Sequence, residues 1–196
     1  LAYRMRPKTL EEYEGQEHVI GPGKLLYRTI KADRLSSIIL FGPPGCGKTS
    51  LAKVISETTK YKFYKINAVT AGVSDIKKIV EETKNFMFNP AGKSILFIDE
   101  IHRFNKLQQD ALLPFVENGT IILIGATTEN PYFEVNKALI SRSMVIKLEP
   151  LTEKNIYNIL KRALTSKEGL GEYNVKIEDN TLMKIADIAN GDVRTA

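Results

Sequence analysis

The sequence predicts an α/β architecture: a five-stranded parallel sheet flanked by helices, then a smaller helical unit. Three observations predict it. Five short apolar runs alternate with stretches of helical period, the pattern of a doubly wound parallel sheet. Several of those runs are apolar at successive positions, as strands buried on both faces are. The strand signal stops at Leu151, where helical faces take over. Residues 1–150 therefore read as one sizeable α/β domain and residues 151–196 as the start of a helical one.

The elements follow in order. Residues 1–36 are polar and turn-rich. Thr9 to Glu12 spells T-x-x-E, a capping box, and Gly21-Pro22-Gly23 is a loop signal. Lys24 to Lys31 places Leu25, Leu26, Thr29 and Ile30 on one helical face. His18, Val19 and Ile20 read either as an apolar seat for a nucleotide base or as an ordinary packing segment. Ser37 to Phe41 is the first strand, and Thr49 to Lys60 a helix. Lys62 to Asn67 is the second strand. Gly72 to Phe88 is amphipathic, with Val73, Ile76, Ile79, Val80 and Thr83 on one side, and Asn89-Pro90-Ala91-Gly92 ends it. Ser94 to Ile98 is the third strand. Asn105 to Glu117 is helical in pattern, with Pro114 as a break or kink. Thr120 to Gly125 and Ser143 to Leu148 are the fourth and fifth strands. Helices follow from Thr152, with Ile156, Ile159, Leu160 and Ala163 as a face, and over Asp179 to Ala189. Gly191 to Ala196 looks like a cap and first turn, so the helical unit is expected to be cut short.

Composition narrows the function classes. The 43% hydrophobic content supports a packed core. No run approaches the ~18 apolar residues of a membrane span, and the start carries no apolar leader. The first residue is Leu1 rather than Met, so residues upstream are expected. The single cysteine, Cys46, rules out an internal disulfide framework or a four-cysteine zinc site and fits a reducing cytoplasm. The net charge of +5 permits a nucleic-acid partner without establishing one, because Lys and Arg are spread among acids.

The chemistry is concentrated in Gly42-Pro43-Pro44-Gly45-Cys46-Gly47-Lys48-Thr49, which matches G-x-x-x-x-G-K-[ST] between a strand and a helix. Backbone amides can approach phosphate oxygens closely only where no Cβ intervenes. The following helix, beginning with Thr49 and Ser50, points its unpaired N–H groups and positive dipole end at the same anion. Lys48 is expected on the β- and γ-phosphates of ATP, and Thr49 on Mg²⁺. Ile95 to Ile98 delivers two adjacent acids. Asp99 is placed to hold Mg²⁺, and Glu100 to orient and deprotonate an attacking water. Asp99-Glu100-Ile101-His102 also matches the D-E-x-H box of helicases, but the length leaves no room for a second motor domain. His102 reads as a helix-start or interface residue. In Gly125 to Asn130, a threonine hydroxyl either contacts the γ-phosphate or the lytic water, or caps a strand end. Arg142 in isolation reads as a surface charge.

Together these motifs resemble AAA+ ATPases of the clamp-loader branch. Arg4 to Leu10, Gly15 to His18, Asp99 to Lys106, Gly125 to Pro131 and Phe133 to Asn136 are similar to the replication-associated recombination protein A (RarA/MgsA) family, itself similar to the Werner-helicase-interacting ATPase. The resemblance implies a sensor 1 role for Thr128, an arginine finger acting on a neighbouring subunit's ATP for Arg142, and a sensor 2 role for Arg194. It implies Mg²⁺-dependent ATP hydrolysis serving replication forks and recombination. The implied partners are DNA (forks, ends and single-strand/double-strand junctions), single-strand-binding protein, and further copies of the chain in a tetramer. Cys46 stands where the family more often has Thr, which predicts a thiol-sensitive loop. The remaining helical domains of the family are absent, which predicts a monomeric fragment with weak hydrolysis. The rival readings are a clamp-loader subunit or RuvB-like branch-migration motor, and a non-hydrolysing nucleotide switch. The first usually carries a zinc module in its bacterial clamp-loader form, and intact Glu100 and Arg142 oppose the second.

Overall fold

The computed structural model of the chain describes residues 1–59, 61–85, 89, 92–173 and 175–196. Its centre is a parallel sheet of β1 (Ser37–Phe41), β2 (Lys62–Asn67), β3 (Ser94–Asp99), β4 (Ile121–Thr127) and β5 (Ser143–Lys147), in the order β2-β3-β4-β1-β5. Before β1 come two short helices, α1 (Glu17–Ile20) and α2 (Leu25–Lys31). The crossovers carry α3 (Lys48–Thr59), α4 (Val73–Lys84), α5 (Lys106–Asp110), α6 (Leu113–Glu117), α7 (Pro131–Glu134) and α8 (Lys137–Ile140). Beyond the sheet lie α9 (Glu153–Thr165) and α10 (Asp179–Ile188). Among the described residues no helix is long and apolar enough to cross a membrane.

Strand alternation divides the core in two. Ile38, Leu40, Ile95, Phe97, Ile122 and Ile124 face α2, α3 and the N-terminal segment through Leu26, Ile30, Leu51 and Ile55. Ile39, Leu96, Ile98, Ile121 and Leu123 face the other way, onto Ile76, Ile79 and Val80 of α4 and onto Leu112, Val135 and Leu139. Central strands sandwiched in this way need apolar side chains at every position. That is why β1, β3 and β4 read as unbroken apolar runs while the edge strand β2 does not. Outside the sheet, Leu151, Ile156, Ala186 and Ala189 form a small core of their own between α9 and α10.

Three expectations change. The helix expected over Asn105 to Glu117 is two short helices. Asn105 and Gln108 cap the first reciprocally, and Pro114 sits at the start of the second, where its missing N–H costs nothing. The Thr9 hydroxyl accepts from Glu12 N–H as a capping residue would, at 3.3 Å, but it closes a turn. No helix propagates there, because Gly15 (φ 79°) and Gln16 (φ 64°) turn left-handed immediately after the buried Tyr13. The fourth strand runs two residues further than expected, to Thr127. The expected helix ends at Lys60 and Phe88, and Pro90 and Ala91, fall outside the described residues.

Phe97 is fully buried in β3, with its ring stacked on Phe63 at 6.2 Å. Phe97→Ala is expected to lower unfolding free energy by about 3–5 kcal/mol, as full-size core cavities do. Denaturant unfolding reads this directly, and a loss under about 1 kcal/mol would mean that the sheet does not depend on this contact.

Candidate nucleotide-binding site

The loop between β1 and α3 is a cradle that side chains would fill. Gly45 and Gly47 have φ of 70° and 103°, a region that L-residues avoid. A Cβ on Gly47 would lie 2.5 Å from the Tyr13 hydroxyl, and one on Gly45 only 1.9 Å from Oδ1 of Asp192. Lys48 is almost enclosed, and its Nζ donates to the carbonyls of Gly42 (2.7 Å) and Pro43 (2.8 Å). The ammonium is thus held inside the curve of the loop. Cys46 is fully buried beside it. Burial pushes the thiol pKa up, only partly countered by the Lys48 charge. A buried, protonated thiol is a poor nucleophile, so the expected thiol sensitivity of the loop is not supported.

Parallel register brings the other expected residues to the same edge. Phe41 is level with Thr127, and Gly42 N–H donates to the Thr127 carbonyl at 3.2 Å. Asp99 ends β3, level with Asn67 of β2, with its carboxylate 3.4 Å from Lys65 Nζ. Thr49, Lys53 and Lys65 line one groove of about 830 Å³. Glu100 follows in a left-handed conformation (φ 56°, ψ 46°), which turns the chain sharply off the strand. Thr128 is exposed just past β4.

A second wall comes from the helical unit. Asp192 packs against Gly45 and binds Arg194 at 2.7 Å. The hydrogen bond from Arg194 holds the Asp192 carboxyl below its usual range, and the Lys48 charge adds to this. With the folded pKa depressed, this clasp is complete above the ordinary carboxylate range and is lost only as pH falls through the lowered value. Arg162 of α9 donates to the carbonyls of Glu12 (2.7 Å) and Met5 (3.1 Å), which fastens the N-terminal segment. Between these walls lies a cavity of about 420 Å³, lined by Cys46 and Gly47 of the loop, Ser50 of α3, Tyr13, and Leu160 and Arg194 of the helical unit. An apolar cavity with a few convergent polar groups suits a small ligand.

These features fit a nucleotide with Mg²⁺. The cradle has the shape to take phosphate, and the cavity beside it has room for an organic moiety. Thr49 and Asp99 are hard oxygen donors. Among the described residues no group of three or more His, Cys, Asp or Glu could hold a metal by itself. Two oxygen donors such as Thr49 and Asp99 suit Mg²⁺, which takes one or two protein oxygens and completes its shell with phosphate and water.

Four expected residues fall elsewhere. His18 Nε2 lies 3.2 Å from the Lys147 carbonyl, Ile20 is buried in the core, and Val19 packs beside it. None of the three lines the cavity. Arg142 precedes β5, and Ser143 pairs with Ser37 at the start of β1. At about 3.3 Å per residue, the length of β1 separates it from its own phosphate loop. It is bonded instead to Glu117 (2.8 Å) and to the Ala138 carbonyl (2.9 Å).

Two residues of the site were missed in the sequence. Gln16, 4% exposed, donates to the carbonyls of Glu149 (2.7 Å) and Cys46 (3.3 Å) and accepts from Glu149 N–H. It joins the N-terminal segment, the loop and the end of β5. Its only sequence signal was its place in Gly15 to His18, one of the stretches that carry the family resemblance. Asp192 was visible only as part of Gly191-Asp192-Val193-Arg194, and its contact with Gly45 spans 147 residues (192 − 45).

Residues 38–150 match the family described as "ATPase family associated with various cellular activities (AAA)". The whole chain is 47% identical to replication-associated recombination protein A of Haemophilus influenzae over 197 residues, covering 44% of that protein. It is 44% identical to ATPase WRNIP1 of Dictyostelium discoideum over 196 residues, all of this chain and 22% of that one. The chain thus spans less than half the length of these curated relatives. Among solved structures, the RuvB Holliday junction branch migration motor of Thermotoga maritima superposes with a TM-score of 0.77 at 30% identity, covering 98% of this chain and 62% of that one. The resemblance read from the motifs is borne out.

Gly45→Ala tests the clasp between loop and helical unit. The left-handed backbone costs a Cβ-bearing residue about 1–2 kcal/mol, and here the Cβ also meets the Asp192 backbone at 2.7 Å. Nucleotide affinity, read by fluorescent-nucleotide titration, is expected to fall by at least tenfold. Gly23→Ala carries the same backbone strain in open space (φ 84°) and is expected to leave affinity unchanged. Equal behaviour of the two variants would remove Asp192 from the site.

Proposed function

Because the chain belongs to the AAA family of ATPases, we propose that it is the nucleotide-binding part of a RarA-type ATPase that uses Mg²⁺-dependent ATP hydrolysis in replication-fork maintenance and recombination. The observation that carries this reading is the convergence of the Gly45–Lys48 cradle, Asp99-Glu100 and Thr127-Thr128 on one sheet edge. Bound Mg²⁺ would supply charge neutralisation across the phosphates. Lys48 binds the β- and γ-phosphates, with the loop amides and the Ser50 turn beside it. Thr49 and Asp99 hold the metal. Glu100 takes the proton of the attacking water. Thr128 and Arg194 read the γ-phosphate, Arg194 from the far wall of the cavity. The base is proposed to sit against the N-terminal segment. His18-Val19-Ile20 contribute to that seat from behind by packing rather than by contact with the cavity.

Arg142 is proposed to act in trans. Its place at the opposite end of β5 from the loop supports this, since a finger at the amino ends of the strands cannot bend back to its own phosphates. Hydrolysis then depends on assembly of further copies, and the isolated chain is proposed to be a weak ATPase. DNA forks, ends and junctions, and single-strand-binding protein, are proposed partners of the whole protein, by similarity to its relatives. A second reading, a branch-migration motor, is favoured by the structural likeness to RuvB. ATPase assays of the whole protein on forked against four-way DNA, with salt titrated, separate the two.

Lys48→Ala is expected to abolish ATP binding. Glu100→Gln is expected to keep binding and slow hydrolysis by about 10²–10⁴. Wild-type affinity in the Lys48 variant would sink the site assignment. Arg142→Ala in the whole assembly is expected to bind ATP but turn it over about 10³-fold or more slowly. Mixing it with Glu100→Gln subunits should recover partial turnover at interfaces that pair an intact Arg142 with an intact Glu100. Recovery of none would count against action in trans.

A further inference from the structure

We propose that His102 is a positioning residue that couples the carboxylate of Glu100 to the end of β4. His102 lies in the single helical turn Ile101–Arg103, which Glu100 itself begins by accepting Arg103 N–H at 2.8 Å. Its ring spans two strand ends. Nδ1 is 2.8 Å from Thr127 Oγ1, and Nε2 is 3.4 Å from Glu100 Oε2. The imidazole is largely enclosed, with 14% of its side chain exposed against 37% for Glu100. Thr127 is wholly buried, and its hydroxyl oxygen also accepts Glu129 N–H at 3.0 Å.

Hydrogen-bond polarity along this chain of groups is directional. With Glu129 N–H donating to the Thr127 oxygen, the hydroxyl proton is free for Nδ1 of His102. A ring that accepts at Nδ1 carries its proton on Nε2, where it faces Glu100. The bonds then run Glu129 N–H to Thr127 and Thr127 O–H to His102, whose Nε2–H is turned toward Glu100 Oε2 at 3.4 Å. Thr128 lies between Thr127 and Glu129, in the loop proposed to sense the γ-phosphate. A shift of that loop therefore moves the ring and reorients the Glu100 carboxylate. The proposal rests on the reading of Glu100 as the base that activates water.

The test uses the full-length protein, with steady-state ATP hydrolysis and separate nucleotide titration. Thr127→Val keeps the shape and removes the hydroxyl. It is expected to lower kcat about 10- to 100-fold, as misplacement of a catalytic group does, with KM and nucleotide affinity within about twofold. Thr127→Ser restores the hydroxyl and should recover most of kcat. His102→Gln should match Thr127→Val, and the double variant should be no slower than either alone, since both break one chain. An unaffected kcat in Thr127→Val, equal slowing in Thr127→Ser, or multiplying losses in the double variant would overturn the proposal. Full turnover in Glu100→Gln would overturn the reading beneath it as well, whereas a dead Glu100→Gln beside a fully active Thr127→Val overturns this proposal alone. Imidazole ¹⁵N shifts of the unaltered protein give a check independent of any variant's folding. A His102 ring protonated at Nε2 alone is expected, and a proton on Nδ1 overturns the assignment.

Discussion

The site depends on one constraint, the parallel register of β1 with β4 and of β4 with β3. Phe41 pairs with Thr127 and Ile98 with Gly125, so three chain segments far apart in sequence leave the sheet side by side. The bond from Gly42 N–H to the Thr127 carbonyl continues the ladder into the first residue of the phosphate loop. A slip of one residue would exchange the two faces of a strand. Ile38 and Leu40 would trade places with Ile39 between two cores that are both closely packed. Register is therefore secured by the hydrophobic effect on both sides, and the position of the chemistry is inherited from it.

Outside the sheet, polar contacts fasten the helical unit to the loop and the N-terminal segment, while that segment also seats Leu10 and Tyr13 in the core of the sheet. Gln16 ties loop, N-terminal segment and strand end together with both ends of one amide. Arg162 clamps the N-terminal segment through two carbonyls, and Asp192 lies on Gly45 with Arg194 on its other side. The apolar core that joins α9 to α10 is small and separate from the two that enclose the sheet. A wall attached in this way can move relative to a rigid cradle, which is what a site that must admit and release a nucleotide requires.

The left-handed turn at Glu100 shows how the sheet and the chemistry meet. A strand residue would point to one face or the other, whereas Glu100 leaves the ladder and puts the imidazole of His102 between itself and Thr127. The acid is open to solvent on one side and tethered on the other. Asp99, one residue earlier, still belongs to the strand and faces Lys65. Adjacent carboxylates thus acquire different surroundings.

Much of this was legible in the sequence. The five strands, the helices between them and the change at Leu151 follow from periodicity, because a residue's face in a strand or helix is set by its position alone. Gly42 to Thr49 and Asp99-Glu100 were legible because phosphate binding demands particular residue types at fixed spacing. What tertiary structure alone decided were the contacts that span the chain. Gln16 meets Glu149, Asp192 meets Gly45, and His102 meets Thr127, and no local pattern encodes such pairs. His18, Val19 and Ile20 read either as an apolar base seat or as an ordinary packing segment, and α1 turns them toward the core and β5. Arg142 looked like a surface charge when read alone. Only strand register shows that it stands a full strand length from its own loop. Short-range periodicity dictated the elements, and the packing of sheet, helices and N-terminal segment decided which polar groups meet.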